Sequence, residues 1–241
     1  MKYLRSLARK KVRVEEGLLL LEGGNVVREA LAAGVVEEIY RGPDAEVAVP
    51  AGIPVVELSG PDVEQLSETR TPAGLFALAR DPVGRVERFA WPEQATVLVA
   101  DGVADPGNLG TLIRTAAALG CAAIVVPDGS VEPTNPKVVR ASAGALFRRP
   151  VLRGDRTALA AAGFAVWVAD AAGEPVESIA TRPARLALLV GNEPRGVDES
   201  TRAAADRTVA VTLAAEIESL NVAMAAGILL HALARAPVDT A

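Results

Sequence analysis

Short, nearly unbroken apolar runs alternate with stretches of helical periodicity along most of the chain. Residues 17–22 form an apolar run between glycines, which predicts a buried strand. Residues 24–33 carry apolar positions at helical spacing and stop at Gly34, a helix-terminating signal. Residues 35–40, 53–58 and 74–79 predict further strands, with a short helix over 61–67 behind Ser59 as its N-cap. Residues 1–13 read as one basic helix, and residues 84–94, with mixed charge and little apolar periodicity, as a linker.

Beyond the linker the pattern becomes regular. Strands over 96–100, 122–126, 164–169, 185–190 and 208–213 alternate with helices over 108–119, 136–146, 157–162, 198–205 and 220–235. These strands are continuously apolar, as expected where both faces of a sheet are covered. The predicted organisation is a small α/β unit over 1–83 and a larger α/β unit over 95–241.

Composition narrows the function. No apolar run in the 241 residues approaches the roughly 20 needed to span a bilayer, and the basic N-terminus lacks the apolar core of a signal peptide. A single cysteine, Cys121, and a single histidine, His231, build neither a disulfide framework nor a usual zinc cage. A cytoplasmic protein without a metal is expected. A net charge of −5 argues against a general nucleic-acid coat. Yet Lys2, Arg5, Arg9, Lys10, Lys11 and Arg13 crowd the first turns, and Arg140, Arg148, Arg149 and Arg153 form a second cluster. Such patches bind phosphates even in an acidic protein, although solvated helix faces explain either cluster equally well.

The polar chemistry gathers in three loops at strand ends, where open α/β sheets bind ligands. The first is Asp101-Gly-Val-Ala-Asp-Pro-Gly-Asn108, running into a helix that carries Arg114. Its glycines do not fit the dinucleotide fingerprint, and no Gly-Lys-Ser/Thr follows, so a phosphate-binding P-loop is absent. The second is Gly191-Asn-Glu193-Pro-Arg-Gly196; the third, residues 214–221, contains Ser219 and Asn221 before a long Ala-rich helix. Glycines admit a ligand close to backbone groups, and Glu193, Ser219 and Asn221 place donors and acceptors beside them. Taken singly, Asn108 and Ser219 serve equally well as helix caps, and Arg114 as a surface residue or a partner of Glu193.

Together these loops resemble the signature of the SpoU/TrmH family of RNA 2′-O-ribose methyltransferases, in the SPOUT superfamily. The matching segments are Asp105-Pro-Gly-Asn108-Leu-Gly-Thr-Leu-Ile-Arg114, Leu189-Val-Gly191-Asn-Glu193-Pro-Arg-Gly196 and Val211-Thr-Leu213-Ala-Ala-Glu-Ile-Glu-Ser219-Leu220-Asn221. Pro136-Lys-Val-Val-Arg-Ala-Ser142-Ala-Gly144 is similar to a further family segment. The stretch from Lys11 to Leu31 resembles the family's ribosomal-protein-like RNA-binding domain. The third segment departs from the usual pattern, with Val211-Thr-Leu213 in place of Ile-Pro-Met and Ala215 where a glycine is common.

The resemblance implies a SPOUT-type parallel sheet with a C-terminal trefoil knot that holds S-adenosylmethionine. It also implies a homodimer whose active site draws on both subunits. By the same analogy Gly191, Val211, Leu213 and Leu220 contact the cofactor, while Asn108, Arg114, Glu193, Ser219 and Asn221 form the catalytic side. RNA would be held by Arg9, Lys10, Lys11 and Arg13, and the two-domain form resembles enzymes acting on ribosomal RNA. The alternatives are a tRNA methyltransferase of the same fold and a non-catalytic RNA-binding or assembly factor. The guanidinium makes Arg114 a poor base unless its surroundings greatly ease its deprotonation, which leaves its role as base, clamp or both, with Glu193 the chemically easier proton acceptor.

Overall fold

The leucine- and valine-rich runs become strands in the computed structural model, which describes residues 1–69, 71–191 and 196–239. Contacts divide the chain into one unit made of Met1–Pro82 with Thr134–Arg148 and a second made of Val83–Pro133 with Arg149–Ala241. The smaller unit is therefore built from two separate stretches of sequence.

The first unit begins with two short helices, α1 (Lys2–Ser6) and α2 (Lys10–Glu16), where the charge pattern predicted one. Leu4 and Leu7 are buried in a cluster with Leu58, Val63, Leu66 and Phe76, which turns α1 onto the sheet. The break frees carbonyls at Leu7 and Ala8, and Arg13 Nη1 donates to both, at 2.8 and 2.7 Å. Arg13 is only 3% exposed. It is thus a structural residue and not the phosphate contact expected from its neighbours.

Next come β1 (Leu18–Glu22), α3 (Gly24–Ala32), β2 (Val36–Arg41), β3 (Val55–Glu57), α4 (Gly60–Leu66) and β4 (Leu75–Arg80). The sheet order is β1-β4-β2-β3; β4 runs antiparallel to both neighbours and β3 parallel to β2. Ser59 starts α4 with a reciprocal capping box to Asp62.

The second unit opens with β5 (Gly84–Arg85) and β6 (Ala95–Ala100), followed by α5 (Pro106–Ala118) and β7 (Ala123–Val126). The chain then makes α6 (Pro136–Ala141), which belongs to the first unit, and returns as β8 (Val151–Arg153). It continues through α7 (Arg156–Ala161), β9 (Ala165–Pro175), β10 (Arg185–Val190), α8 (Glu199–Ala203), β11 (Arg207–Ala210) and α9 (Val222–Arg235). The seven strands lie in the order β11-β9-β10-β6-β7-β8-β5, and every pairing is parallel. Val97, Val99, Ala187 and Leu189 face one buried cluster with Leu159 and Phe164, while Leu98, Leu188 and Ile124 are equally buried. Full burial of such side chains contributes about 1.5–3 kcal/mol each, which is why these strands are apolar throughout.

Residues 84–94 are not the open linker that their composition suggests. β5 pairs with β8 at the sheet edge, Val86 is buried, and Trp91 packs edge-on between Phe89 and Phe164 with centroids 4.6 and 4.7 Å away. The helix expected over 136–146 also stops early. Ala143 and Gly144 take φ of +50° and +88°, and a Cβ on Gly144 would lie 2.5 Å from Glu29 Cγ. Arg140 pairs with Glu68 at 3.0 Å, and Arg148 forms a two-pronged ion pair with Glu29. Two members of the second basic cluster are thereby neutralised within the first unit.

β9 extends well beyond its predicted end, and its tail runs against β11 across a register shift between Thr208 and Val209. There a Cβ on Gly173 would sit 2.6 Å from the Val209 carbonyl carbon and 2.7 Å from its nitrogen. Both contacts are backbone and cannot swing aside. Gly173→Ala is expected to destabilise the protein by about 3 kcal/mol, at the upper end for overpacking. Urea denaturation checks this, and a variant as stable as the parent would show that the two strands can separate at little cost.

Candidate functional site

The site is built at the carboxyl ends of the parallel strands. β6 ends at Ala100, and the loop that follows is closed by the start of α5. Asp105 is the N-cap, accepting the Asn108 N–H at 2.8 Å, and Pro106 occupies the first turn, where its missing donor does no harm. The capping role left open for Asn108 therefore falls to Asp105, and the Asn108 side chain is available for another partner.

That partner is Asn221. Its Oδ1 caps α9 by accepting the N–H groups of Ala223 and Met224 at 3.0 and 3.3 Å. Its Nδ2 donates to Asn108 Oδ1 at 2.9 Å. The first and third loops, 113 residues apart, are joined through one amide pair. Close packing of the two helices supports the bond: a Cβ on Gly227 of α9 would be 3.4 Å from Thr115 Cγ2 of α5. Ser219 does not cap a helix and is exposed.

Gly191, Val211, Leu213 and Leu220 line a single cavity of about 250 Å³, together with Ser219 and the first turns of α9. Among the described residues its wall is mostly apolar side chains and backbone, with Asp170 and Glu218 as its carboxylates and no basic side chain. Sequence inspection missed Asp170. The signal was present, since Asp170 follows the buried run of β9 just as Asp101 follows that of β6.

Arg114 stands apart from this group. It lies six residues beyond Asn108 on α5, about 9 Å along the axis and on a different face. It is exposed and has no ion pair among the described residues. Glu193 lies outside the described residues. Arg9, Lys10 and Lys11 are exposed, with Lys11 3.8 Å from Glu15, whereas Arg13 is buried as described above. Burial pushes the Cys121 thiol up to about 12, so this cysteine stays protonated and inert.

A second hollow, of about 490 Å³, lies beside the ends of β6, β7 and β8. Arg85, Arg153 and Arg156 meet Glu87, Asp101, Asp128, Asp155 and Asp198 there. Burial, reinforced by Asp198, raises the Asp101 carboxyl above its ordinary range. Among the described residues no cluster of three His, Cys, Asp or Glu side chains could hold a metal, and no helix is long and apolar enough to cross a membrane.

Residues 95–231 match the SpoU rRNA Methylase family, and residues 1–77 match the MRM3-like substrate binding domain. The chain belongs to the SpoU rRNA methylase family. It is 37% identical to the 23S rRNA (guanosine(2553)-2′-O)-methyltransferase RlmP of Bacillus subtilis, over 95% of this chain and 93% of that protein. It is 34% identical to the 23S rRNA (adenosine(1067)-2′-O)-methyltransferase of Streptomyces azureus, over 74% of this chain and 69% of that protein. The fold is similar to that of the AdoMet-bound rRNA methyltransferase from Sinorhizobium meliloti, with a TM-score of 0.86, 27% identity and coverage of 97% and 93% of the two chains.

Replacing Asn221 by alanine is expected to destabilise the protein by about 1–2 kcal/mol, because a cap and an amide partner are lost together. Asn221→Asp keeps the capping oxygen but not the Nδ2 donor. It should recover most of that stability in urea denaturation and so separate the cap from the Asn108 contact.

Proposed function

We propose that the chain transfers a methyl group from S-adenosylmethionine to a ribose 2′-hydroxyl of RNA, with ribosomal RNA as the substrate. The observation that carries this reading is the single cavity lined by Gly191, Val211, Leu213 and Leu220 beside the Asn108–Asn221 pair. The cavity chemistry fits the cofactor. Apolar walls suit the adenine ring, exposed backbone suits its ring nitrogens, and the carboxylates of Asp170 and Glu218 suit a ligand of net positive charge. When bound, S-adenosylmethionine supplies an electrophilic methyl carbon on a positive sulfur.

The protein's share of the work is placement. Attack by the hydroxyl must be in line with the carbon–sulfur bond, and holding two reactants in that geometry can supply much of the acceleration. Asn108 and Asn221 fix each other, so the edge of the cavity has one arrangement. Ser219 contributes a hydroxyl on the cavity wall. Arg114 keeps its charge and acts as a clamp on phosphate or ribose, and Glu193 is the carboxylate that takes the hydroxyl proton.

Because Arg114 points to solvent on its own chain, it serves a site completed by a second copy. The solvent side of α9 supports a homodimer: Met224 is 62% exposed and Ile228 39%, one turn apart, with Leu220 and Ile217 just before them. A trefoil knot, with the tail of β9 tight against β11, is part of the same reading. RNA is gripped by the first unit through Arg9, Lys10 and Lys11, in a reducing cytoplasm. The full amide pair and cavity favour an enzyme over a binding-only factor, and the match to a substrate binding domain favours the two-domain rRNA type over a minimal tRNA enzyme.

Arg114→Ala is expected to lower methyl transfer by about 100-fold or more while leaving S-adenosylmethionine affinity unchanged. Tritium transfer to ribosomal RNA and calorimetry read the two separately. Mapping 2′-O-methyl groups in ribosomal RNA and tRNA from a strain lacking the gene tests the substrate. A missing methyl in tRNA alone would overturn the ribosomal assignment.

A further inference from the structure

The cavity wall contains one ion pair that lies outside all three motif loops. Asp170, near the middle of β9, has a side chain only 14% exposed and is part of the cavity lining. Its Oδ1 accepts the Ala172 N–H at 2.9 Å, and its Oδ2 is 3.0 Å from Arg202 Nη2. The same Nη2 donates to the Val197 carbonyl at 3.4 Å. Arg202 sits on α8, whose start is pinned by Asp198 accepting the Thr201 N–H at 2.9 Å and its hydroxyl at 2.7 Å. One guanidinium thus ties β9 to the backbone beside Gly196. Asp170, Gly191 and Gly196 all line the cavity.

A structural ion pair joining α8 to the sheet would account for the distances but not for the position. Pairs with a partly exposed partner add little to stability, and a carboxylate this shielded is unfavourable unless further donors meet it. A carboxylate has about four acceptor sites, and the two contacts above leave room for more. Those remaining sites belong to an atom on the wall of a cavity that is otherwise mainly apolar. S-Adenosylmethionine carries donors of the right kind, two ribose hydroxyls and an ammonium.

We propose that Asp170 is a cofactor-contacting residue that accepts a hydrogen bond from a hydroxyl or ammonium of S-adenosylmethionine, and that Arg202 is the positioning residue that orients it. This rests on the reading that the cavity holds the cofactor. Arg202 acts twice in this arrangement, once on the carboxylate and once on the Val197 carbonyl that carries Gly196 to the cavity.

The test is calorimetric titration of S-adenosylmethionine into the full-length protein and its variants. Asp170→Asn preserves shape but removes the charge, and is expected to weaken binding by about 10-fold or more, the usual worth of a charged hydrogen bond. Arg202→Met should weaken it similarly, Arg202→Lys should restore part of the loss, and the double variant should be no worse than Asp170→Asn alone. Melting temperatures without ligand should change by only a few degrees, so that weaker binding is read from a folded protein, whereas a purely structural pair would leave the affinity unchanged. Repeating the titrations with 5′-methylthioadenosine, which keeps the ribose but lacks the amino-acid tail, identifies the donor. The Asp170→Asn loss persists with this probe for a hydroxyl and vanishes for the ammonium.

Unchanged affinity in a folded Asp170→Asn protein, or fully additive losses in the double variant, would overturn the proposal. Should Asp170→Asn not fold, Asp170→Glu displaces the carboxylate by one methylene and must also weaken binding. Ala225→Phe fills the cavity from α9 and separates the two ideas. Normal binding in that variant would remove the cavity itself as the cofactor site and the proposal with it. Blocked binding there beside a neutral Asp170→Asn would sink the Asp170 assignment alone.

Discussion

The site depends on the amide pair between Asn221 and Asn108. A helix start leaves N–H groups without partners, and Asn221 satisfies two of them with a single oxygen. That fixes the orientation of its amide, so its NH₂ group has a set direction, and Asn108 lies there. Asn108 is held in turn because Asp105 takes its backbone N–H and anchors the start of α5. Two helix origins on the same sheet therefore define each other, and the third loop leaves α9 from a fixed point. The energy of one neutral hydrogen bond is modest, about 1 kcal/mol, but its geometric consequence extends to every residue on that side of the cavity.

The parallel sheet explains why ligand chemistry gathers at this end, and it presents two hollows there. A rule based on strand order alone would favour the crevice between the ends of β6 and β10, where the chain's direction of winding reverses. The hollow at the ends of β6, β7 and β8 reaches this crevice at Asp101, Leu189 and Asp198. Its three arginines, however, face five carboxylates, so much of its charge is satisfied internally. The neighbouring cavity beside α9 is mostly apolar and lined in part by glycine backbone, with no basic side chain in its lining among the described residues. Composition of the lining, more than topology, decides between them.

How much of this was legible in the sequence varies with how local the cause is. β6, β7, β9, β10 and β11, with α5 and α9, were readable because apolar periodicity and caps are written within each segment, whereas the three-residue β8 was not. The cavity lining from Gly191, Val211, Leu213 and Leu220 came from family resemblance, since no local rule brings two loops together. β5 was missed because two residues without an apolar run carry no signal, and only the partner β8 makes them a strand. Arg13 was misread because the break between α1 and α2, which creates the carbonyls that it binds, depends on burying Leu4 and Leu7. The helix expected over 136–146 failed for a tertiary reason too, as Gly144 must turn against Glu29.

The same contacts sort the basic residues of an acidic chain. Arg140 and Arg148 lie in the inserted stretch and meet Glu68 and Glu29, with the guanidinium fork of Arg148 engaging both carboxylate oxygens. Their charge is consumed in holding Thr134–Arg148 to the strands and helices of Met1–Pro82. Truncating the N-terminal stretch would therefore strip the partner from a segment that remains, so the first unit is not a detachable module. Arg9 and Lys10 have no such acidic partner among the described residues, and the contact of Lys11 with Glu15 is long and solvent-exposed. With a net charge of −5, long-range attraction to RNA is not available to the chain as a whole. In the proposed reading phosphate contacts fall to Arg9, Lys10 and Lys11. A grip made of so few cations gives only a shallow dependence of affinity on salt, because the slope scales with the number of phosphates neutralised.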